Sequence, residues 1–208
     1  MKESENFLEK AKQEGHALLG QETKDKVFSS QHTFPDPNSA RQAFVQSVAK
    51  LFRVDAWSDL PGISSTFELH DHQGRRKKDG IPVVGDYVRI VLPGPLPANW
   101  VSVTDIKEEE EGAEFTVRPS ENPENPQGEK TEHFFSSEAT STFRVEWEGN
   151  TITAYEIGRN ERVNNQGEEA GGRGIVNTLI AGAGWAGMQD MQWNKLTRYL
   201  VHLEEEED

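Results

Sequence analysis

The order of patterned segments in this 208-residue chain predicts an α+β domain: a curved antiparallel sheet of about seven strands wrapped around a long C-terminal helix, with a helical insertion after strand 1. Three observations carry that prediction. An amphipathic stretch, NSARQAFVQSVAKLF, follows the first strand-like segment. Six strand-like segments then succeed one another, and GWAGMQDMQWNKLTRYLVHL closes the pattern as a second, longer amphipathic stretch. Strands joined by short connections pair antiparallel, because parallel neighbours need long crossovers. With no second block of helices to cover both faces, one strongly curved sheet closing on the terminal helix is the economical solution.

Residues 1–24 are rich in Glu, Lys and Gln, with sparse apolar positions at Phe7, Leu8, Leu18 and Leu19, and read as a flexible or helical acidic extension. VFSSQHTF (27–34) has strand texture and is punctuated by Pro35 and Pro37. Asn38 or Ser39 then offers an N-cap, and Ala40, Phe44, Val48, Leu51 and Phe52 form a helical stripe. WSDLPGI (57–63) ends the helical region with a turn. The strands that follow are STFELHD (65–71), GDYVRIVL (85–92), NWVSVTDI (99–106), AEFTVRP (113–119), ATSTFRVEWE (139–148) and NTITAYEIG (150–158), with a tight hairpin at Glu148-Gly149-Asn150. HFF (133–135) is an extra apolar patch, and PSENPENPQGEK (119–130), with three prolines, is a long exposed loop. A glycine-rich stretch (167–187) leads into the last helix.

That helix poses the main question of the sequence. At about 100° per residue, Trp185, Met188, Gln189, Gln192, Trp193, Leu196, Tyr199, Leu200 and Leu203 share one half of the circumference. Asp190, Asn194, Lys195 and Arg198 fall mostly on the other half. Two glutamines thus sit on a face that should be wholly apolar. The folded domain runs over 25–203 and leaves 204–208 as an acidic tail.

Composition narrows the function classes. The net charge of −14, with much of the acidic excess in EEEE (108–111) and EEEED (204–208), opposes a phosphate backbone or an anionic membrane surface, so nucleic acid is not an expected partner. No stretch approaches the length of a membrane span and MKESENFLEKAK lacks a signal-peptide core, so no stable membrane insertion is expected and the cytoplasm is the expected location. The absence of cysteine removes disulfides, thiolate nucleophiles and cysteine-type zinc sites together.

The stretch VFSSQHTFPDPNSARQAFVQSVAKLF resembles the first strand and first helix of the START and Bet v 1-like helix-grip superfamily, also called SRPBCC. AWSDLPGI resembles the Trp-containing turn after that helix, GDYVRIVLPG and WVSVTDI its strands, and WAGMQDMQWNKLTRYL its gripping helix. The resemblance covers roughly residues 26–203 and is one of order and texture. It implies a cavity between sheet and helix that binds a hydrophobic or aromatic small molecule, lipid- or polyketide-like; no cofactor is expected. It equally admits a cyclase- or dehydratase-like enzyme using the same cavity, or an Hsp90-activator-like interaction module. It selects no ligand within the class and no oligomeric state.

The candidate ligand-binding residues are Trp100, Phe115, Phe143, Trp147 and Tyr155 on strands, with Glu156 among them, and Trp185, Met188, Gln189 and Gln192 on the helix. Glu156 shares a strand face with Ile152 and Ala154 and so points into an apolar interior if that face is the inner one; the alternative puts Tyr155 and Ile157 inside. Arg159 is the nearest candidate partner for a buried Glu156. GAGWAG (182–187) spells a dinucleotide fingerprint, but the chain ends after the helix it opens, and the following strand that such a unit requires is missing. HDH (70–72) lacks a third metal ligand, so no metal is expected, and RRKK (75–78) reads as an exposed turn tip.

The low hydrophobicity of residues 1–24 implies that they add little to the core. Deleting them is expected to shift the melting temperature only slightly, and loss of soluble folding would show that they pack as a structural helix.

Overall fold

The computed structural model describes residues 24–93, 98–124, 137–161 and 184–204. Seven strands form one sheet in the order β1-β7-β6-β5-β4-β3-β2, and every pairing is antiparallel. They are β1 (Lys24–Thr33), β2 (Thr66–His70), β3 (Tyr87–Val91), β4 (Asn99–Glu109), β5 (Gly112–Pro119), β6 (Thr140–Glu148) and β7 (Thr151–Glu161). Helix α1 (Pro37–Phe52) and a short 3-10 helix (Val54–Asp59) lie between β1 and β2, and α2 (Gly184–Leu200) follows β7. This is the helix-grip arrangement. Because β2 to β7 form a meander and β1 joins the sheet beside β7, the first and last strands among the described residues are neighbours.

Local chemistry sets each boundary. Helix α1 begins earlier than the expected Asn38 or Ser39 cap. The Asp36 carboxylate accepts from Asn38 N at 2.9 Å, Ser39 N at 3.0 Å and Ser39 Oγ at 2.7 Å, and Pro37 takes the first helical position, where its missing N–H costs nothing. Between β6 and β7 the register Glu148↔Thr151 leaves a two-residue turn, in which Gly149 supplies the φ of +60° that a twisted hairpin requires. The segment read as a simple turn at 57–63 opens with the last residues of the 3-10 helix, which drives Trp57 inward.

Trp57 is the centre of the core. Only 1% exposed, its ring lies 4.9 Å from Phe143, 5.7 Å from Phe67 and 5.9 Å from Phe115, and its Nε1 donates to the Lys50 carbonyl at 3.1 Å. Burial of an aromatic whose polar atom is satisfied is the favourable case. Trp147, by contrast, is half-buried: it packs on Phe44 at 6.2 Å, and its Nε1 donates to the Gly149 carbonyl at 2.7 Å at the turn.

The two sheet edges are finished differently. Along β2, Ser58 Oγ accepts from Phe67 N at 2.9 Å and donates to Phe67 O at 3.2 Å, while Asp55 accepts from Leu69 N at 2.9 Å. Side chains of the 3-10 helix, together with Lys77 N, which donates to the Leu69 carbonyl at 2.8 Å, thus occupy outward backbone groups of that edge and remove a template for strand addition. Along β1, α2 is stitched on through Ser30 Oγ···Thr197 Oγ1 at 2.9 Å and His32 Nδ1 to the Val201 carbonyl at 2.8 Å.

Trp57→Ala is expected to cost about 3–5 kcal/mol, the usual loss for a fully buried aromatic. Trp147→Ala should cost less than half of that. Urea denaturation of both variants checks the ranking, and a reversed order would mean that Trp57 does not organise the core.

Candidate functional site

Strand register places a carboxylate in the middle of an apolar row. Across the sheet, Phe28 of β1 pairs with Glu156 of β7, Glu156 with Phe143 of β6, Phe143 with Phe115 of β5, and Phe115 with Ile106 of β4. Ile152, Ala154 and Glu156 alternate on β7 as buried residues, and Glu156 is 1% exposed. The concave face is therefore the one that holds Glu156. The next row inward from the β6–β7 turn is Ser30, Ala154, Val145 and Ala113, with small side chains beside the large ones.

Helix α2 runs over this face parallel to β1. Thr197 meets Ser30 and Val201 meets His32, so four helical residues, about 6 Å of rise, advance together with two strand residues, about 6.8 Å. One turn back from Thr197, this correspondence brings Gln192 and Trp193 to the level of Phe28 and Glu156. The Trp193 ring confirms the level, lying 5.5 Å from Phe143 and 6.2 Å from Phe67. Gln192 is 4% exposed. Along the helix Leu196, Tyr199 and Leu200 are buried as their spacing implies, and Asn194 and Arg198 face out; Thr197 is also buried, and Leu203 is exposed.

Of the candidate residues, Phe115, Phe143, Glu156 and Gln192 come together at this level. Trp147 shares their face but lies at its far end, against α1. Two go elsewhere. Adjacent residues on a strand point to opposite faces, so the burial of Glu156 puts Tyr155 on the convex side, where its hydroxyl donates to Glu146 at 2.7 Å. That hydrogen bond, and then burial, hold the phenol above its usual range, so Tyr155 is no interior proton donor.

Trp100 is buried at 3% exposure, but it too lies on the convex side. Its neighbour Val101 pairs with the core residue Val88, and Val103 pairs with Val117, so Trp100 and Ser102 point away. The Trp100 ring meets His70 edge-on at 4.8 Å under residues 120–124, whose Ser120 N donates to the Trp100 carbonyl at 2.9 Å. The backbone of Trp185, Met188 and Gln189 forms the first turns of α2, and their side chains lie outside the described residues, as do HFF (133–135) and most of the glycine-rich stretch.

Other sequence expectations find their places here. Arg159 does not partner Glu156 but pairs with Asp25 at 2.8 Å on the exposed side. His70 ends β2 and bonds the Gly74 carbonyl through Nδ1 at 2.9 Å, while His72 is exposed in the turn; among the described residues no cluster of three His, Asp or Glu is placed to hold a metal. GAGWAG cannot serve a parallel strand-helix-strand unit in an all-antiparallel sheet. Among the interior residues outside the candidate set, three bear on this site. Trp57 had its signal in the Trp-containing turn, Phe28 in its alternation with Ser30 and His32, and Trp193 in the apolar helix face.

No protein-family model matches the chain, and no curated protein matches it. Solved structures do. A hypothetical protein from Helicobacter pylori shares 10% identity over 89% of this chain and 92% of that one, with a TM-score of 0.48. Protein XoxI from Bacillus cereus shares 18% identity over 87% and 98%, with a TM-score of 0.46. Norcoclaurine synthase from Thalictrum flavum, solved in complex with dopamine and hydroxybenzaldehyde, shares 16% identity over 90% and 92%, with a TM-score of 0.41. Each of these likenesses is one of topology alone; the helix-grip arrangement rests on the order and pairing of this chain's own strands and helices.

Tyr155→Phe is expected to lower stability by no more than about 1 kcal/mol, the net worth of one hydrogen bond. It should leave any binding in the interior unchanged, and a weakened interior ligand in calorimetry would place Tyr155 back in the site.

Proposed function

We propose that this domain binds a small molecule between the concave face of the sheet and α2, with an apolar or aromatic body lying against Phe28, Phe143 and Trp193 and a hydrogen-bond-donating head meeting Glu156 and Gln192. The observation that carries this reading is the position of Glu156, buried in register between two phenylalanines. A carboxylate taken out of water costs several kcal/mol, which its partners offset only in part. A hydrophobic residue would pack there at no such cost, and departures of this kind from apolar consistency gather at functional sites. Gln192 repeats the departure from the helix side.

The body of the ligand is bounded by what already fills the interior. Phe52, Trp57, Phe67, Phe115 and Phe143 pack ring against ring under β2 to β6. The proposed ligand therefore lies toward β1 and β7, beneath the first turns of α2. An acid-base reaction at the same place would use Glu156 as the proton carrier. Binding is the simpler function and is the one proposed.

Because the buried head group is an acceptor, the site should prefer amines over acids of equal bulk. Thermal-shift measurements with phenethylamine and phenylacetate are expected to favour the amine, and Glu156→Leu to erase the difference. Equal shifts for both compounds in the unmodified protein would remove Glu156 from recognition. Gln192→Leu should leave the empty protein as stable, or raise its stability by up to about 1 kcal/mol, and weaken the amine by about 1–3 kcal/mol. Clear destabilisation of the empty protein with unchanged affinity would make Gln192 a packing residue.

A further inference from the structure

The connection between β2 and β3 carries an apolar tip held out into solvent. Ile81, Val83 and Val84 are 62%, 52% and 61% exposed, within four consecutive residues. Scattered exposed aliphatics need no explanation, but three at one loop tip do. The tip is braced from behind. Asp86, 1% exposed, accepts from Val83 N at 3.0 Å and from Lys77 Nζ at 2.7 Å, Pro82 is buried, and Gly85 N donates to the Val103 carbonyl at 2.9 Å. Asp55 secures the base through Asp79 N at 3.1 Å and Arg76 Nη1 at 2.9 Å. Two acidic side chains thus fix a conformation that exposes hydrocarbon.

Cations flank the tip although the chain as a whole is acidic. Residues 71–86 contain Arg75, Arg76, Lys77 and Lys78 against Asp71, Asp79 and Asp86, a local net of +1 in a chain of −14. Three of these cations are held in ion pairs, Arg75 with Asp71 at 2.7 Å, Arg76 with Asp55 at 2.9 Å and Lys77 with Asp86 at 2.7 Å, whereas Lys78 and Arg53 are exposed beside the tip. A cavity of about 280 Å3 lined by Arg53, Arg76 and Lys78, together with Asp55, Asp59 and Asp79, opens at the same place.

We infer that this tip docks the domain reversibly on a lipid bilayer bearing anionic headgroups, with Ile81, Val83 and Val84 entering the headgroup-acyl boundary and Arg53 and Lys78 meeting lipid phosphates. The size of the patch selects this occupant. A stable protein partner covers about 800 Å2 on each side, far more than three side chains offer, whereas a bilayer accepts a small aliphatic wedge without shape complementarity. The acidic excess does not forbid it. At physiological ionic strength charges act over about 8 Å, and the acidic run at 108–111 begins five residues, about 16 Å along β4, beyond the Val103 that anchors the tip.

The test is flotation of the full chain with vesicles of phosphatidylcholine alone and with 30% phosphatidylserine, about 0.15 M salt being present. Binding is expected with phosphatidylserine, falling at least tenfold for Val84→Asp and at least threefold for Lys78→Glu, with circular dichroism unchanged in both. Val45→Asp, an equally exposed aliphatic on α1, should bind as the unmodified chain does. Absence of binding to either vesicle, or equal loss in Val84→Asp and Val45→Asp, overturns the inference. So does concentration-dependent self-association that Val84→Asp abolishes, since the occupant is then a second copy.

Discussion

The interior of this domain is organised by one buried indole. Trp57, fixed through its Nε1 to the backbone of α1, fills the concave side of the sheet where β2 to β6 would otherwise leave it open. Everything that bends the sheet around α2 has to accommodate that ring, because close-packed cores are not continuously deformable. The 3-10 helix exists to deliver it. The same short segment carries Asp55 and Ser58 to the exposed edge of β2, so one turn of chain both plugs the core and seals the sheet.

Because Trp57 occupies one side, polar character collects on the other. Glu156, Gln192, Ser30 and Thr197 all lie toward β1, β7 and α2. The gradient across the concave face, from aromatic packing to buried polar groups, gives the interior a direction. A molecule recognised there would present its hydrogen-bonding end to β7. The exterior has its own contrast, with an apolar tip beside the exposed Arg53 and Lys78 set against acidic runs elsewhere on the chain.

Element order was legible in the sequence because alternation and helical spacing survive without tertiary context. The strand faces were harder. Glu156 and Tyr155 are adjacent and both entered the candidate set, although period-two geometry admits only one of them; nothing local decides which face is concave, since Ala154 and Ile152 alternate against Tyr155 and Ile157 with similar apolarity. Trp100 misleads for a different reason. Its burial comes from the covering residues 120–124 and from His70, a second small packing layer that strand pattern does not announce. At the start of α1, Asn38 and Ser39 carry cap chemistry as good as that of Asp36, and only the Pro37 that follows Asp36, a regular sign of a helix's first turn, separates them. Tertiary position, rather than residue type, separates an aromatic in the core from one on the outer face.

The adjacency of β1 and β7 bears on how the chain acquires its structure. Thr33 and Thr151 are partners 118 residues apart, and Ser30 and Thr197 are 167 apart. Closing such distances costs chain entropy before any contact repays it, and topologies dominated by remote pairings fold slowly. The meander from β2 to β7 needs only neighbouring hairpins and can form as it is synthesised. Strand β1 has to wait for β7 before it can pair, and the apolar stripe of α1 waits for its partners on β5 and β6, Phe115 and Trp147.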